Sequence, residues 1–258
     1  MTYCLGLFCH EGLVGVSDSR TSAGMDHISI QPKMHLYDMA GDRCVCLMTS
    51  GNLSLSQSVF ALIDEDLALG RRDERRQHLL NQRTMYETAR YVGMKVRRVE
   101  QLDKEHLKRD GYTFDVNFLA CGQIRGEPHE LWQIYPQGNP IHASRESPFV
   151  QIGEFKYGKP ILDRSFHYGA TLDHAVKCGI LSMDASMKSN VSVGPPIDIF
   201  VYKKDTFHVG RRIRLNEGDD FLVAIRKAWQ EGILGVVNSL PTLAAEEDEN
   251  RSPGAGQG

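Results

Sequence analysis

The sequence has 258 residues, of which 41 % are hydrophobic and 24 % charged, and its formal net charge is −3. This is the composition of an ordinary globular protein, long enough for one large or two small domains, and it is not basic enough to predict nucleic-acid binding. No basic segment precedes the first apolar run, and no run reaches the roughly 20 apolar residues that span a bilayer, so we expect a cytoplasmic protein without membrane partners.

The first predicted elements are strands. Residues 2–9 and 13–19 are apolar with little polar alternation, which predicts a hairpin buried on both faces. A loop containing a glycine is expected at residues 21–24. Residues 34–38 and 43–49 flank a glycine turn and predict a second hairpin.

Two helices are predicted next. The first has apolar residues at helical spacing and stops at Gly70, and the second begins with a capping box formed by Thr84 and Glu87. Tyr86 and Tyr91 lie off the apolar stripe of the second helix and are expected to be interface or surface residues. The stripes are Leu55, Val59, Leu62 and Ile63 in the first helix and Met85, Ala89, Val92, Val96 and Val99 in the second.

The second half of the chain returns to strands and then alternates with helices. Strands are predicted at residues 115–122, 130–135, 149–153, 197–202 and 208–213. One helix precedes the last two strands and one follows them, with apolar stripes Leu172, Ala175, Val176, Gly179, Ile180, Met183 and Phe221, Leu222, Ile225, Trp229, Ile233. We expect a single domain over residues 1–240 and a disordered, acidic and then glycine-rich tail at 241–258.

The order of these elements predicts the fold class. Helices come in blocks rather than after every strand, which argues against a parallel doubly wound sheet. Two antiparallel sheets that pack on each other, with helices on both outer sides, explain why strands are apolar on both faces. We therefore predict an α+β fold, a four-layer αββα sandwich.

The six cysteines predict no metal site. They lie in apolar segments, where a reduced thiol behaves as a small core residue. Cys44 and Cys46 share one face of a predicted strand, but no second cysteine pair or nearby histidine completes a zinc set. We expect no metal and no other cofactor.

The candidate chemistry lies at the start of the chain, because the sequence contains no nucleophile elbow, Walker loop or zinc-protease motif. Removal of Met1 by an aminopeptidase exposes Thr2, which begins a buried strand; a docked first strand without chemistry is the simpler interpretation of Thr2 alone. Asp18 ends the next strand, where a buried carboxylate needs a partner. Lys33 is the favoured partner and Arg20 its competitor.

These residues together resemble a known family. Thr2, the run from Asp18 to Gly24, Lys33 and the strand ending at Gly51 resemble the proteasome β-subunits among the N-terminal nucleophile hydrolases. The resemblance is nearest to the bacterial Anbu (ancestral β-subunit) branch and extends over about the first 240 residues. Its most branch-specific segments are residues 1–4 and 189–196.

The resemblance implies a threonine-type peptidase. The Thr2 hydroxyl attacks a carbonyl to form an acyl-enzyme, the freed α-amine is the base, and Lys33, held by Asp18, keeps that amine neutral. The Gly51 N–H stabilises the oxyanion. It also implies that Arg20 fixes the Asp18 loop. The pocket for the residue before the cut bond is lined near Thr49.

The sequence departs from the family pattern in its supporting residues. The Asp-x-x-Ser of proteasome subunits falls on residues 189–192, where either Ser189 and Ser192 or Asn190 and Val193 take the two places, and both assignments lack the carboxylate. The alternative role of these serines is helix termination and turn formation.

Three functions follow from this pattern. The first is an amide-bond (peptide) hydrolase with Thr2 as nucleophile, the second an amidase or transferase for a narrow peptide-like substrate, and the third a self-assembling scaffold without catalysis. The resemblance implies a homo-oligomer, either a ring or an open spiral, and leaves an ATPase partner undetermined.

Overall fold

The computed structural model describes residues 2–22 and 28–242. Two five-stranded sheets, a two-stranded ribbon and five α-helices make up this part of the chain. In chain order they are β1 (Tyr3–Cys9), β2 (Gly12–Asp18), β3 (Arg20–Ser22), β4 (Ile28–Ile30), β5 (Met34–Met39), β6 (Arg43–Gly51), α1 (Leu53–Gly70), α2 (Met85–Arg109), β7 (Val116–Ile124), β8 (Glu130–Ile134), β9 (Pro140–His142), β10 (Phe149–Gly153), α3 (Lys159–Ser165), α4 (Leu172–Ser189), β11 (Ile197–Lys203), β12 (Arg211–Leu215) and α5 (Asp220–Ser239).

Both large sheets are antiparallel. The first has the strand order β10-β1-β2-β11-β12, and the second follows the chain as β5-β6-β7-β8-β9. Every residue of β1 and β2 is buried, as the apolar sequence of the first hairpin predicted. The N-terminal strand therefore occupies the middle of a sheet, with neighbours on both sides.

Three apolar clusters separate four layers. Leu7, Val16 and Ile180 belong to the cluster between the first sheet and α3, α4 and α5, whereas Val59 and Val92 belong to the cluster between the second sheet and α1 and α2. A third cluster lies between the two sheets and contains Cys4, Cys44, Cys46, Cys121, Met48 and Phe200. The predicted α+β four-layer sandwich is confirmed.

Several predicted boundaries were wrong. The loop expected at residues 21–24 begins as the strand β3, and β4, β9 and α3 were not predicted, because three to seven residues carry too little periodicity. The last strand starts at Arg211 rather than residue 208, since positive φ angles at Asp205 (66°) and Phe207 (51°) prolong the turn before it.

The N-terminus of α2 shows half of the predicted capping box. The Thr84 side chain accepts a hydrogen bond from the Glu87 N–H at 3.1 Å. The Glu87 carboxylate binds the N–H of Arg83 at 2.9 Å, one residue earlier than the pattern requires. Tyr91 was expected at an interface or surface, but it is 2 % exposed and donates a hydrogen bond to Asp66.

The C-terminal tail and membrane-spanning helices were the subject of two further predictions. The predicted tail begins at Pro241, and residues 243–258 of it lie outside the described residues, so the domain boundary at residue 240 stays a prediction. Across residues 2–22 and 28–242, no helix combines the length and apolarity needed to cross a membrane.

Candidate active site

Thr2 is held at the edge of a pocket by its neighbours in the first sheet. Its carbonyl accepts a hydrogen bond from the Glu154 N–H at 2.7 Å, and β1 begins at the next residue. The pocket has a volume of about 300 Å³ and is also lined by Lys33, Thr49 and Gly51. Sequence positions 2, 33, 49 and 51 thus meet at one place.

Asp18 connects the start of the chain to Lys33. The carboxylate is 0 % exposed at the end of β2, and Lys33 Nζ donates to its Oδ1 at 2.8 Å. The same oxygen accepts the N–H of Tyr3 at 3.0 Å, and Oδ2 accepts the N–H of Gly194 at 3.4 Å. One buried group therefore fixes Lys33 and the residue that follows Thr2.

Burial dominates the electrostatics of this carboxylate. It raises the pKa of Asp18 above its ordinary value, and the Lys33 ammonium and the N–H groups of Tyr3 and Gly194 oppose that rise in pKa. Lys33 is itself only 5 % exposed and donates a second hydrogen bond to the Arg20 carbonyl at 2.6 Å. Each member of the pair depends on the other, because a buried charge without a partner destabilises the folded state by several kcal/mol.

Arg20, the competitor for Asp18, binds elsewhere. Its Nη1 donates to the Val191 carbonyl at 3.0 Å, and its guanidinium packs so closely against Gly194 that a Cβ there would overlap it. Because the Gly194 N–H binds Asp18, this contact places Arg20 beside the loop that closes over the carboxylate.

The end of β6 contributes the opposite wall of the pocket. Gly51 has a φ of 103°, and a Cβ at this position would collide with the Asp115 carbonyl, so the conformation and the space both require glycine. Thr49 donates from Oγ1 to the Asn117 carbonyl at 3.2 Å and from N–H to the Lys33 carbonyl at 3.1 Å. The second bond places β6 beside the segment that carries Lys33.

Ser189 and Ser192 are not brought to this pocket. Ser189 is the exposed last residue of α4, and the Ser192 N–H donates to Asn190 Oδ1 at 3.0 Å in a turn. Neither serine is among the described residues that line the pocket of Thr2. Their contacts match the helix-end and turn roles that the sequence left open.

Glu154 lies beside Thr2, where the sequence did not predict it, and Asn190, a member of the second alternative pair, contacts Glu154. Val193, the other member of that pair, packs in the apolar cluster under the first sheet. Glu154 is 9 % exposed, and its Oε2 accepts a hydrogen bond from Asn190 Nδ2 at 3.2 Å. A carboxylate directly after an apolar strand was the available signal, but the pairing of β10 with β1 was needed to place it beside Thr2. A second unpredicted buried acid, Asp198, accepts from Ser19 Oγ at 3.1 Å and from Arg214.

Cys4 is a core residue. Its Sγ donates to the Thr49 carbonyl at 3.4 Å, and it packs in the apolar cluster between the sheets. Burial raises the pKa of the Cys4 thiol far above its ordinary value, so the nucleophilic thiolate does not form at neutral pH.

The rest of the pocket follows the first helix. Gln57, Phe60, Ala61 and Asp64 of α1 line it, and the His35 ring stacks on Phe60 with a centroid distance of 3.8 Å. The pocket thus extends from Thr2 along one face of α1.

Comparisons with known proteins give matches among solved structures. A scan against protein-family models and a search among curated proteins found no match. Among solved structures, Anbu (ancestral β-subunit) from Yersinia bercovieri has 40 % sequence identity and a TM-score of 0.87, over 95 % of this chain and 99 % of that one.

Two further structures are similar to the same extent. A Gly-1 mutant of Anbu from Hyphomicrobium sp. strain MC1 has 38 % identity and a TM-score of 0.87, over 95 % of this chain and 100 % of that one. A structure described as the helical assembly of the Anbu complex from Pseudomonas aeruginosa has 38 % identity and a TM-score of 0.88, over 94 % and 98 %. Identity at this level over nearly the whole of both chains shows that the protein belongs to the Anbu family of proteasome-like proteins.

Proposed function

We propose that this protein is an amide-bond hydrolase of the N-terminal threonine type, with Thr2 as nucleophile after removal of Met1. The observation that supports it best is the Asp18 carboxylate, which binds both Lys33 Nζ and the Tyr3 N–H beside the pocket of Thr2. This supports the proposal because the proposed nucleophile and Lys33 line one pocket, and the buried Asp18 carboxylate behind it binds Lys33.

In the proposed reaction, the Thr2 hydroxyl oxygen attacks the carbonyl carbon of an amide while its proton passes to the free α-amine of Thr2. The α-amine has an ordinary pKa of about 7.7–8.0, and the nearby positive charge of Lys33 favours its neutral form. The Gly51 N–H is proposed to stabilise the oxyanion, an interaction of about 3 kcal/mol in other hydrolases. The amine leaves with the proton, and water then cleaves the ester on Thr2 to release the acid and regenerate the hydroxyl.

We propose that the protein acts as a homo-oligomer in the cytoplasm. The helical assembly described for the Pseudomonas aeruginosa relative supports self-association. It also favours an open spiral over a closed ring. The cytoplasm agrees with six free, buried cysteines, because thiols stay reduced there.

The first test is the intact mass of the purified protein before and after incubation with a peptide epoxyketone, which reacts with an N-terminal threonine. We expect a mass without Met1 and one adduct, absent from Thr2→Ala and reduced in Lys33→Ala. Cys4→Ala is the matched control and keeps the adduct, because the thiol is buried. Retention of Met1 in the native host would contradict the proposal, since a blocked amine is no base.

A narrow peptide-like substrate is the second candidate, as an amidase or transferase. The observation in its favour is that Ser189 and Ser192 lie away from the pocket, so the supporting groups differ from those of proteasome subunits. An epoxyketone adduct without cleavage of unfolded proteins or general peptide libraries is the result expected of it. If Thr2→Ala retains the full cellular role, both catalytic candidates are wrong and a scaffold replaces them.

A further inference from the structure

The groove along α1 has an acidic far end. Gln57, Phe60, Ala61 and Asp64 are spaced i, i+3, i+4 and i+7 and therefore share one helix face, and all four line the pocket of Thr2. At a rise of 1.5 Å per residue, the eleven steps from Leu53 to Asp64 cover about 16 Å. The small side chain of Ala61 leaves space between Gln57 and Asp64.

Asp64 is the unpaired charge of this groove. Lys33 is ion-paired with Asp18, whereas no ion pair joins Asp64 to any side chain within the described ranges. Burial lowers the pKa of His35. The negative charge of Asp64 opposes this lowering, and the positive charge of Arg212, which does not line the groove, adds to it. The imidazole is therefore neutral at pH 7. The groove thus offers a negative charge at one end and an aromatic wall of His35 and Phe60 beside it.

We propose that the substrate carries a cationic group, a lysine or arginine side chain or an equivalent amine, which Asp64 binds at the end of this groove. The inference rests on the proposed function, because Thr2 defines where the scissile bond lies. About 16 Å equals four to five residues of extended chain, or fewer when a long side chain spans the rest. The basic side chain therefore lies along the groove from the scissile bond, with its aliphatic stem against the Phe60 ring.

The test is equilibrium binding to Thr2→Ala, so that no probe is consumed. The probes are acetylated alanine-based octapeptide amides with one leucine at the centre, in which a single arginine is moved along the chain, and a matched series with glutamate. Fluorescence anisotropy of labelled probes gives the dissociation constants. We expect arginine peptides to bind about fivefold more tightly than glutamate peptides at one stretch of positions, as for a solvent-accessible ion pair of about 1 kcal/mol.

The matched variants identify the acid. Asp64→Asn in the same background removes the preference for arginine. Glu65→Gln keeps it, because Glu65 is an exposed acid one position on that does not line the groove. Raising the salt concentration weakens the preference of the parent and leaves Asp64→Asn unchanged.

The outcomes separate the inference from the proposed function. Equal binding of the two peptide series, or a preference that survives Asp64→Asn, overturns the role of Asp64 even when Thr2 forms its epoxyketone adduct. An Asp64-dependent preference without any adduct on Thr2 overturns the hydrolase and leaves the cationic ligand site standing.

Discussion

At the scale of single residues, the site depends on one buried ion pair. Asp18 is 0 % exposed and Lys33 5 %, and the carboxylate also binds two backbone N–H groups. A buried pair of this kind contributes little net stability compared with apolar residues, but the loss of one partner is severe. We therefore expect this ion pair to position Lys33 and supply positive charge beside Thr2, rather than to stabilise the fold.

Lys33→Met is the residue-scale test, because it keeps most of the length of the side chain and removes its charge. The variant leaves Asp18 without the ammonium that opposes the burial-induced rise in its pKa, so that pKa rises further. Asp18 then keeps its proton in the folded state at pH values where it has lost it in the unfolded state. The free energy of unfolding therefore falls as the pH rises above about 4, the pKa of an aspartate in the unfolded chain. We expect a loss of about 3–5 kcal/mol at pH 8 and a smaller loss at pH 5, from thermal unfolding at both pH values.

The control for this variant is a surface pair. Lys177→Met removes the exposed Lys177–Asp173 ion pair on α4, which contributes about 0.5 kcal/mol at most in such settings. A loss of stability in Lys33→Met that is equal at pH 5 and pH 8 would show that the pair does not control the protonation of Asp18.

At the scale of elements, Asp66 joins the two helices of the outer layer next to the second sheet. It is 4 % exposed on α1 and accepts hydrogen bonds from Arg76 at 2.8 Å and from Tyr91 at 2.7 Å, and Lys95 of α2 pairs with it. Burial favours a higher pKa for this carboxyl, but the hydrogen bonds from Lys95, Arg76 and Tyr91 outweigh it and lower the pKa of Asp66. Since the groove of the site runs along α1, this cluster also holds one of its walls.

Asp66→Asn tests that connection. A lowered pKa in the folded state stabilises the protein above the unfolded pKa of about 4, and the stabilisation is lost as pH falls through the folded value. We expect Asp66→Asn to lower the free energy of unfolding by about 2 kcal/mol at pH 7, as for hydrogen bonds to charged groups. The difference in the free energy of unfolding between Asp66→Asn and the parent narrows below pH 4, as denaturant titrations at several pH values measure. Glu65→Gln, at the neighbouring exposed acid, is the surface control.

The elements that could be predicted from the sequence are the long ones. Long elements such as α2 and α4, and the doubly buried hairpin of β1 and β2, were predicted because their apolar patterns repeat over many residues. Residues 2, 18 and 33 were singled out by their position at the ends of buried strands and by a buried charge that needs a partner, and residue 51 by the resemblance to a family motif. The contact between Glu154 and Asn190 was not predicted, because it depends on the pairing of β10 with β1, far apart in the chain. The inward position of Tyr91 likewise depends on Asp66, 25 residues earlier.

At the scale of the whole molecule, the outer face of α5 is exposed to solvent. Leu222 is its one buried residue, and its exposed apolar side chains include Phe221, Val223, Trp229, Ile233, Leu234, Val236 and Val237. Large exposed apolar surfaces often mark sites of protein–protein contact. Together with the helical assembly described for the Pseudomonas aeruginosa relative, this surface favours a second copy of the chain as its partner.

The last prediction is that α5 mediates self-association. Light scattering after size-exclusion chromatography should give a multiple of the 29.0 kDa chain mass, and Ile233→Asp combined with Val237→Asp should lower it toward one chain. Two charges on exposed neighbours at i and i+4 disrupt a dry interface but leave the core intact, so the circular dichroism spectrum should stay unchanged. Met94→Asp on α2, a residue that is 49 % exposed, is the matched control in the opposite helical layer. If Met94→Asp dissociates the assembly and the α5 variant does not, the subunits associate through the layer of α1 and α2, where they could bury the Thr2 groove.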